Sequence, residues 1–94
     1  MDFTHTKYEE LCKAMIDSDY TPVSVYTYLE AQPNRCIILR HDIDRKPERA
    51  LKMAKVEKDL RIKSTYYFRM KKGVFEPDMI KKIANMEHEI GIFR

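Results

Sequence analysis

Ninety-four residues, 44% hydrophobic and 35% charged, make one small domain with room for a modest core and no second lobe. The net charge of +3 comes from 18 Lys/Arg interspersed with 15 Asp/Glu, so the chain lacks the concentrated basic surface that nucleic acid requires. No apolar run approaches membrane-spanning length, and the polar start Met1-Asp2-Phe3-Thr4-His5 lacks the apolar segment of a signal peptide, which makes a cytoplasmic location the expectation.

Thr6-Lys7-Tyr8-Glu9 has the form of a capping box, and Tyr8, Leu11, Cys12 and Met15 follow at helical spacing. This predicts a first helix that stops near Asp17-Ser18-Asp19. Thr21-Pro22 predicts the start of a short second helix, with Val25, Tyr28 and Leu29 on one side, closed by Pro33-Asn34. Cys36-Ile37-Ile38-Leu39 is continuously apolar and reads as a strand buried on both faces of a parallel sheet. Arg40-His41-Asp42-Ile43-Asp44 then falls at the carboxyl end of that strand, where parallel α/β sheets place their ligands.

Pro47 opens a third helix with Ala50, Met53, Ala54, Val56 and Leu60 inward. Ser64 to Met70, rich in Thr, Tyr and Phe, favours a second strand. Glu76-Pro77 begins a fourth helix, carrying Met79, Ile80, Ile83, Ala84 and Met86 inward, and His88 to Phe93 reads as a third strand. The predicted fold is therefore α/β: two amino-terminal helices, then β-α-β-α-β with about three parallel strands. Met15, Met53, Met70, Met79 and Met86 are expected to fill gaps in the core. Cys12 and Cys36 have no metal-type spacing and are expected to be reduced core thiols.

Three stretches together resemble the polysaccharide deacetylase (NodB-homology) family, in the branch whose first motif reads His-Asp-Val-Asp. They are Leu39-Arg40-His41-Asp42-Ile43-Asp44, Ile62-Lys63-Ser64-Thr65-Tyr66-Tyr67-Phe68, and His88-Glu89-Ile90-Gly91, similar to the Gly-His-Glu-Ile-Gly that precedes the family's metal-binding histidines. The resemblance implies a partly open (β/α) barrel that hydrolyses N-acyl amide bonds on a carbohydrate substrate with a divalent metal, zinc, cobalt or similar. Carried over residue by residue, it implies Asp42 as the base that activates metal-bound water and Asp44 as a metal ligand, with His41 as a second candidate ligand.

The family's two metal-binding histidines have no counterpart here, because the chain reads Gly91-Ile92-Phe93-Arg94 where they belong. Residues 1–94 are therefore expected to form a single partial domain, a truncated barrel inactive alone, with a weak or absent metal. The alternative is a non-catalytic fragment that acts only through association with another chain, or with itself through an open sheet edge.

Three further readings stand beside this one. Asp44 preceding Pro47 predicts a polar turn in which Asp44 caps the third helix. Tyr66-Tyr67-Phe68 beside Arg69, Lys71 and Lys72 has the composition of a single-strand stacking surface, but a strand beneath helices explains it more simply. Paired acids after the first strand also occur in phosphoacceptor domains, but those place a phosphorylatable Asp at the end of a later strand, and Met70 and Phe93 stand there.

Glycine occurs only twice, at Gly73 and Gly91. Asp19, Arg61 and Glu87 each sit where a helix ends and glycine usually supplies the left-handed conformation, so these three are predicted to be strained caps.

Overall fold

The computed structural model describes residues 5–93. The periodicity of Tyr8, Cys12 and Met15 produces α1 (His5–Asp17), which buries Tyr8 and Cys12 and leaves Leu11 half-exposed. Thr6 lies within α1 rather than capping it.

Thr21-Pro22 departs from expectation. Thr21–Val23 is a strand, β1, and Ser24 rather than Thr21 caps α2 (Val25–Ala31), its hydroxyl accepting from the Thr27 N–H. The bonds to the neighbouring segment come from Thr21 N–H and Val23 O, so position 22 points away from the partner and proline there loses no ladder bond, which is why β1 tolerates it.

The segment read as one buried strand is divided. β2 (Cys36–Ile38) pairs in parallel with β1, and after Leu39 the chain continues as β3 (Arg40–Ile43). The burial expected on both faces is not realised, since Cys36 and Ile37 are partly buried and Ile38 is 44% exposed. Leu39 ties the two sheets together, giving its N–H to Val23 O at 2.8 Å and accepting from Thr65 N–H at 3.0 Å.

α3 (Pro47–Asp59) leads to β4 (Thr65–Arg69), and α4 (Pro77–Asn85) to β5 (Glu89–Phe93). β3, β4 and β5 form a parallel three-stranded sheet in that order, beside the two-stranded β1-β2 sheet. The described residues form no closed barrel.

Alternation along the strands separates two faces. Ile43, Tyr66 and Phe68 meet Ala50 and Ala54 of α3 and Ile83 of α4 in the main core. Tyr8 and Cys12 of α1 pack against Val56 of α3 and Ile62 in a second cluster. The opposite face carries Arg40, Asp42, Thr65, Tyr67, Glu89 and Gly91. Met15, Met53, Met79 and Met86 are partly buried as expected of gap fillers, whereas Met70 is 54% exposed. Cys12 is buried and Cys36 partly so, and both are free thiols.

Two of the three predicted strained caps are real. Arg61 has φ 61° and Glu87 has φ 70°, while Asp19 is not among the residues with positive φ. After α3, Ile62 N–H reaches Glu57 O at 2.7 Å and Arg61 N–H reaches Lys58 O at 3.0 Å. This is the paired Schellman closure, which places residue 61 in the left-handed region whatever its side chain. Asp19 escapes because Ser18 closes α1 differently, its hydroxyl donating to Met15 O at 2.6 Å and accepting from Tyr20 N–H at 3.1 Å.

Candidate functional site

Arg40, His41 and Asp42 lie in β3 itself, so strand alternation decides where they point, while Asp44 follows the end of the strand. Arg40 and Asp42 face the uncovered side. Asp42 Oδ1 accepts from Arg40 Nε at 2.9 Å, and the Arg40 guanidinium lies 4.4 Å from the centroid of the Tyr67 ring. Asp44 does not cap α3. It accepts from Arg69 Nη1 at 2.9 Å, and Lys46, at φ 51°, occupies the cap position with no side-chain bond. Both pairs are half-exposed, the class of ion pair that contributes about 0–1 kcal/mol.

His41 points the other way, into the helix layer. Its ring stacks on Tyr66 with centroids 4.6 Å apart, and Nε2 lies 2.8 Å from Glu57 Oε2. The three candidates are thus not brought together: each carboxylate has its own arginine, and the imidazole serves a different carboxylate.

That carboxylate escaped the sequence reading. Glu57 is fully buried, because the α3 stripe Ala50, Met53, Ala54 continues to position 57 at helical spacing. Oε2 accepts from Tyr8 Oη and faces His41, while Oε1 accepts from Ser64 Oγ at 2.7 Å and from Tyr66 Oη at 2.5 Å. His88 Nε2 lies 3.8 Å from Oε1 but donates to Ala54 O at 2.9 Å, and its Nδ1 accepts from Ser64 N–H at 3.1 Å. The ring of His88 therefore carries its proton on Nε2. Among the described residues, no buried side-chain polar atom lacks a partner. The signal available in the sequence was a glutamate on an apolar helical stripe, where a charge survives only if fully bonded.

Burial pushes the Glu57 carboxyl up, but the hydrogen bond and charge of His41, with the bonds from Tyr66 and Tyr8, outweigh it and hold the group below the ordinary carboxylate value. Burial, then the negative charge of Glu57, pushes both Tyr8 and Tyr66 far above the ordinary phenol value. The chemistry is that of an ionised carboxylate held by protonated donors. It ties α1, α3, β3 and β4 together.

A second carboxylate ties α2 to the opposite face of the sheet, beside the buried Thr65, and leaves the Arg40–Asp42 end of that face uncovered. Glu89 accepts from Ser24 Oγ, from Tyr26 N–H at 2.9 Å and from Thr65 Oγ1 at 2.8 Å. Beside it runs an open groove of about 410 Å³, with Val25, Tyr26 and Leu29 on one wall and Thr65, Tyr67 and Glu89 on the other.

Among the described residues, no group of three or more His, Cys, Asp or Glu is placed to hold a metal ion. With Asp42 and Asp44 engaged by arginines and His41 turned away, these residues do not fit the metal centre implied by the resemblance. No described helix is long and apolar enough to cross a membrane. Compared with known proteins, the chain matches no family model, no curated protein and no solved structure.

Proposed function

We propose that the chain is a polysaccharide deacetylase-like α/β unit, a part of a (β/α) barrel, that meets N-acylated carbohydrate through its uncovered sheet face. The observation that carries this reading is register. Asp42, Tyr67 and Gly91, one from each of the three motif segments, are direct neighbours across β3, β4 and β5. Motifs scattered over 50 residues of sequence thus meet on one face of one sheet.

Amide hydrolysis in such an enzyme requires a metal-activated water beside a base. The described residues do not assemble that constellation, so no hydrolytic step is assigned to them. What they supply is a binding surface: the Tyr67 ring, with the Arg40 guanidinium over it and Asp42 bonded to that guanidinium, combines an aromatic side chain with donors and an acceptor, the mixture that small polar ligands use. The free thiols of Cys12 and Cys36 support a reducing, cytoplasmic setting.

The test is an NMR titration of the 94-residue chain with an N-acetylglucosamine tetramer, paired with an acetate-release assay in Zn²⁺ or Co²⁺. Shifts are expected at Arg40, Tyr67 and Gly91 and should vanish in Tyr67→Ala, with no acetate above the protein-free blank. Absence of shifts on this face overturns the carbohydrate reading. Acetate release abolished by Asp42→Asn overturns the assignment of an incomplete site.

A further inference from the structure

The outer edge of β5 has a hydrogen-bonding pattern that is complementary to itself. Glu89 N–H bonds Ser64 O at 3.0 Å, and Phe93 O accepts from Met70 N–H at 2.7 Å, so residues 89, 91 and 93 direct their backbone groups to β4. In an extended strand these groups alternate in direction residue by residue. The N–H and C=O groups of Ile90 and Ile92 therefore point outward, where no described strand pairs with them.

We propose that this edge pairs with the β5 edge of a second copy of the chain, antiparallel about a two-fold axis at Gly91, joining two three-stranded sheets into one of six strands. In that register Ile90 faces Ile92 of the second copy and exchanges both backbone bonds with it. Ile92 does the same with the second copy's Ile90. All four outward groups of each strand are satisfied by four bonds, and none is left over. The two Gly91 residues meet as the closely spaced, non-bonded pair, where an absent side chain suits the approach.

Side-chain chemistry agrees with the register. Ile90 and Ile92 lie on the helix-covered side with Tyr66 and Phe68, so the pairing sets Ile92, now 45% exposed, against an isoleucine. On the other side Glu89 falls opposite Phe93, not opposite a second Glu89, and its charge is already bonded by Ser24, Tyr26 and Thr65. The middle of the edge, Ile90-Gly91-Ile92, has none of the lysines, prolines or bulges that keep exposed edges apart. The β3 edge differs, for its outward groups belong to Arg40 and Asp42, a charged pair. A self-complementary edge closes on itself as a dimer and stops there.

Ile92→Pro and Ile92→Lys test the proposal. The Ile92 N–H takes no part in the β4–β5 ladder, so proline there removes an outward donor and leaves the internal sheet bonded. Sedimentation equilibrium over a concentration series should show the unmodified chain rising to twice its 11.3 kDa mass and stopping. Both variants should stay at the single-chain mass with unchanged far-UV spectra, and Ile92→Lys decides alone if the proline variant unfolds. In hydrogen exchange, the amides of Ile90 and Ile92 should gain protection as the unmodified chain associates. A chain that stays monomeric, a dimer that survives both variants, growth beyond two copies, or a dimer without protection at Ile90 and Ile92 each overturns the proposal.

Discussion

Replacing Arg61 and Glu87 by glycine should stabilise the fold, because both residues carry a Cβ through the left-handed region, at φ 61° and 70°. A residue with a Cβ loses about 1–2 kcal/mol there. Glycine removes that strain but has more freedom to lose from the unfolded chain, which offsets about 0.4–1 kcal/mol. The net gain is about 0.5–1 kcal/mol per site. Among the described residues, the Arg61 side chain has no hydrogen bond or ion pair that would reduce it, and the closure of α3 uses its backbone N–H, bonded to Lys58 O. Glu87 also gives up a 3.9 Å contact with Lys63, but both side chains are largely exposed and the pair counts for little. The sites lie at the ends of different helices, so their effects should nearly add. In thermal melts of a chain this size, each substitution should raise Tm by a few degrees and the double variant by about twice that. Asp19→Gly is the control: without positive φ to relieve, it should leave Tm unchanged or lower it. Destabilisation by both Arg61→Gly and Glu87→Gly, or an equal gain from Asp19→Gly, refutes the strain argument.

Glu57→Gln should cost about 3 kcal/mol or more in denaturant unfolding, since it turns an acceptor that faces Tyr8, Tyr66, Ser64 and His41 into a partial donor and leaves buried donors unmatched. The same group sets a pH dependence. Its folded pKa is depressed, so its contribution is fully present above the unfolded carboxyl value of about 4.3 and is lost as pH falls through the lower folded value. Unfolding measured from pH 7 downward should show the gap between wild type and Glu57→Gln narrowing only in that acid range. Gly91→Ala should destabilise by about 1–3 kcal/mol, because a Cβ at 91 meets the ring of Tyr67, and adding Tyr67→Ala should recover part of the loss in a double-mutant cycle. Calorimetric titration with Mg²⁺, Zn²⁺ and Co²⁺ should show weak binding, about millimolar or poorer for the hard ion, since so sparse an oxygen site leaves most coordination positions to water. A tight one-to-one zinc complex abolished by Asp44→Ala would contradict this.

The sequence by itself determined the element types and their order from Pro47 onward. Short-range signals carry that information: helical spacing in α3 and α4, proline at the start of α3 and α4, aromatic and β-branched density in β4. The caps at Arg61 and Glu87 were legible for the same reason, because helix closure depends on a few consecutive residues. Where a choice rested on distant partners, it was not legible. Thr21-Pro22 satisfies the local rules for a helix start, yet becomes a strand because residues 36–38 offer it a parallel partner. The run 36–39 reads as one buried strand, but Leu39 passes the chain from one sheet to the other and leaves Ile38 exposed.

The site divides in the same way. His41, Asp42 and Asp44 were visible as a dense polar motif after an apolar run, but their roles were not. Strand alternation sends His41 to the helix layer and Asp42 to the open face, and arginines from within β3 and from β4 claim the two carboxylates. Glu57 could be read only as one charge on a helical stripe. Its partners come from residues 8, 41, 64 and 66, and a buried carboxylate is stable only when all of them converge. Local backbone preference is written into neighbouring residues, whereas the compensation of a buried charge belongs to the packed chain, and only the tertiary structure decides it.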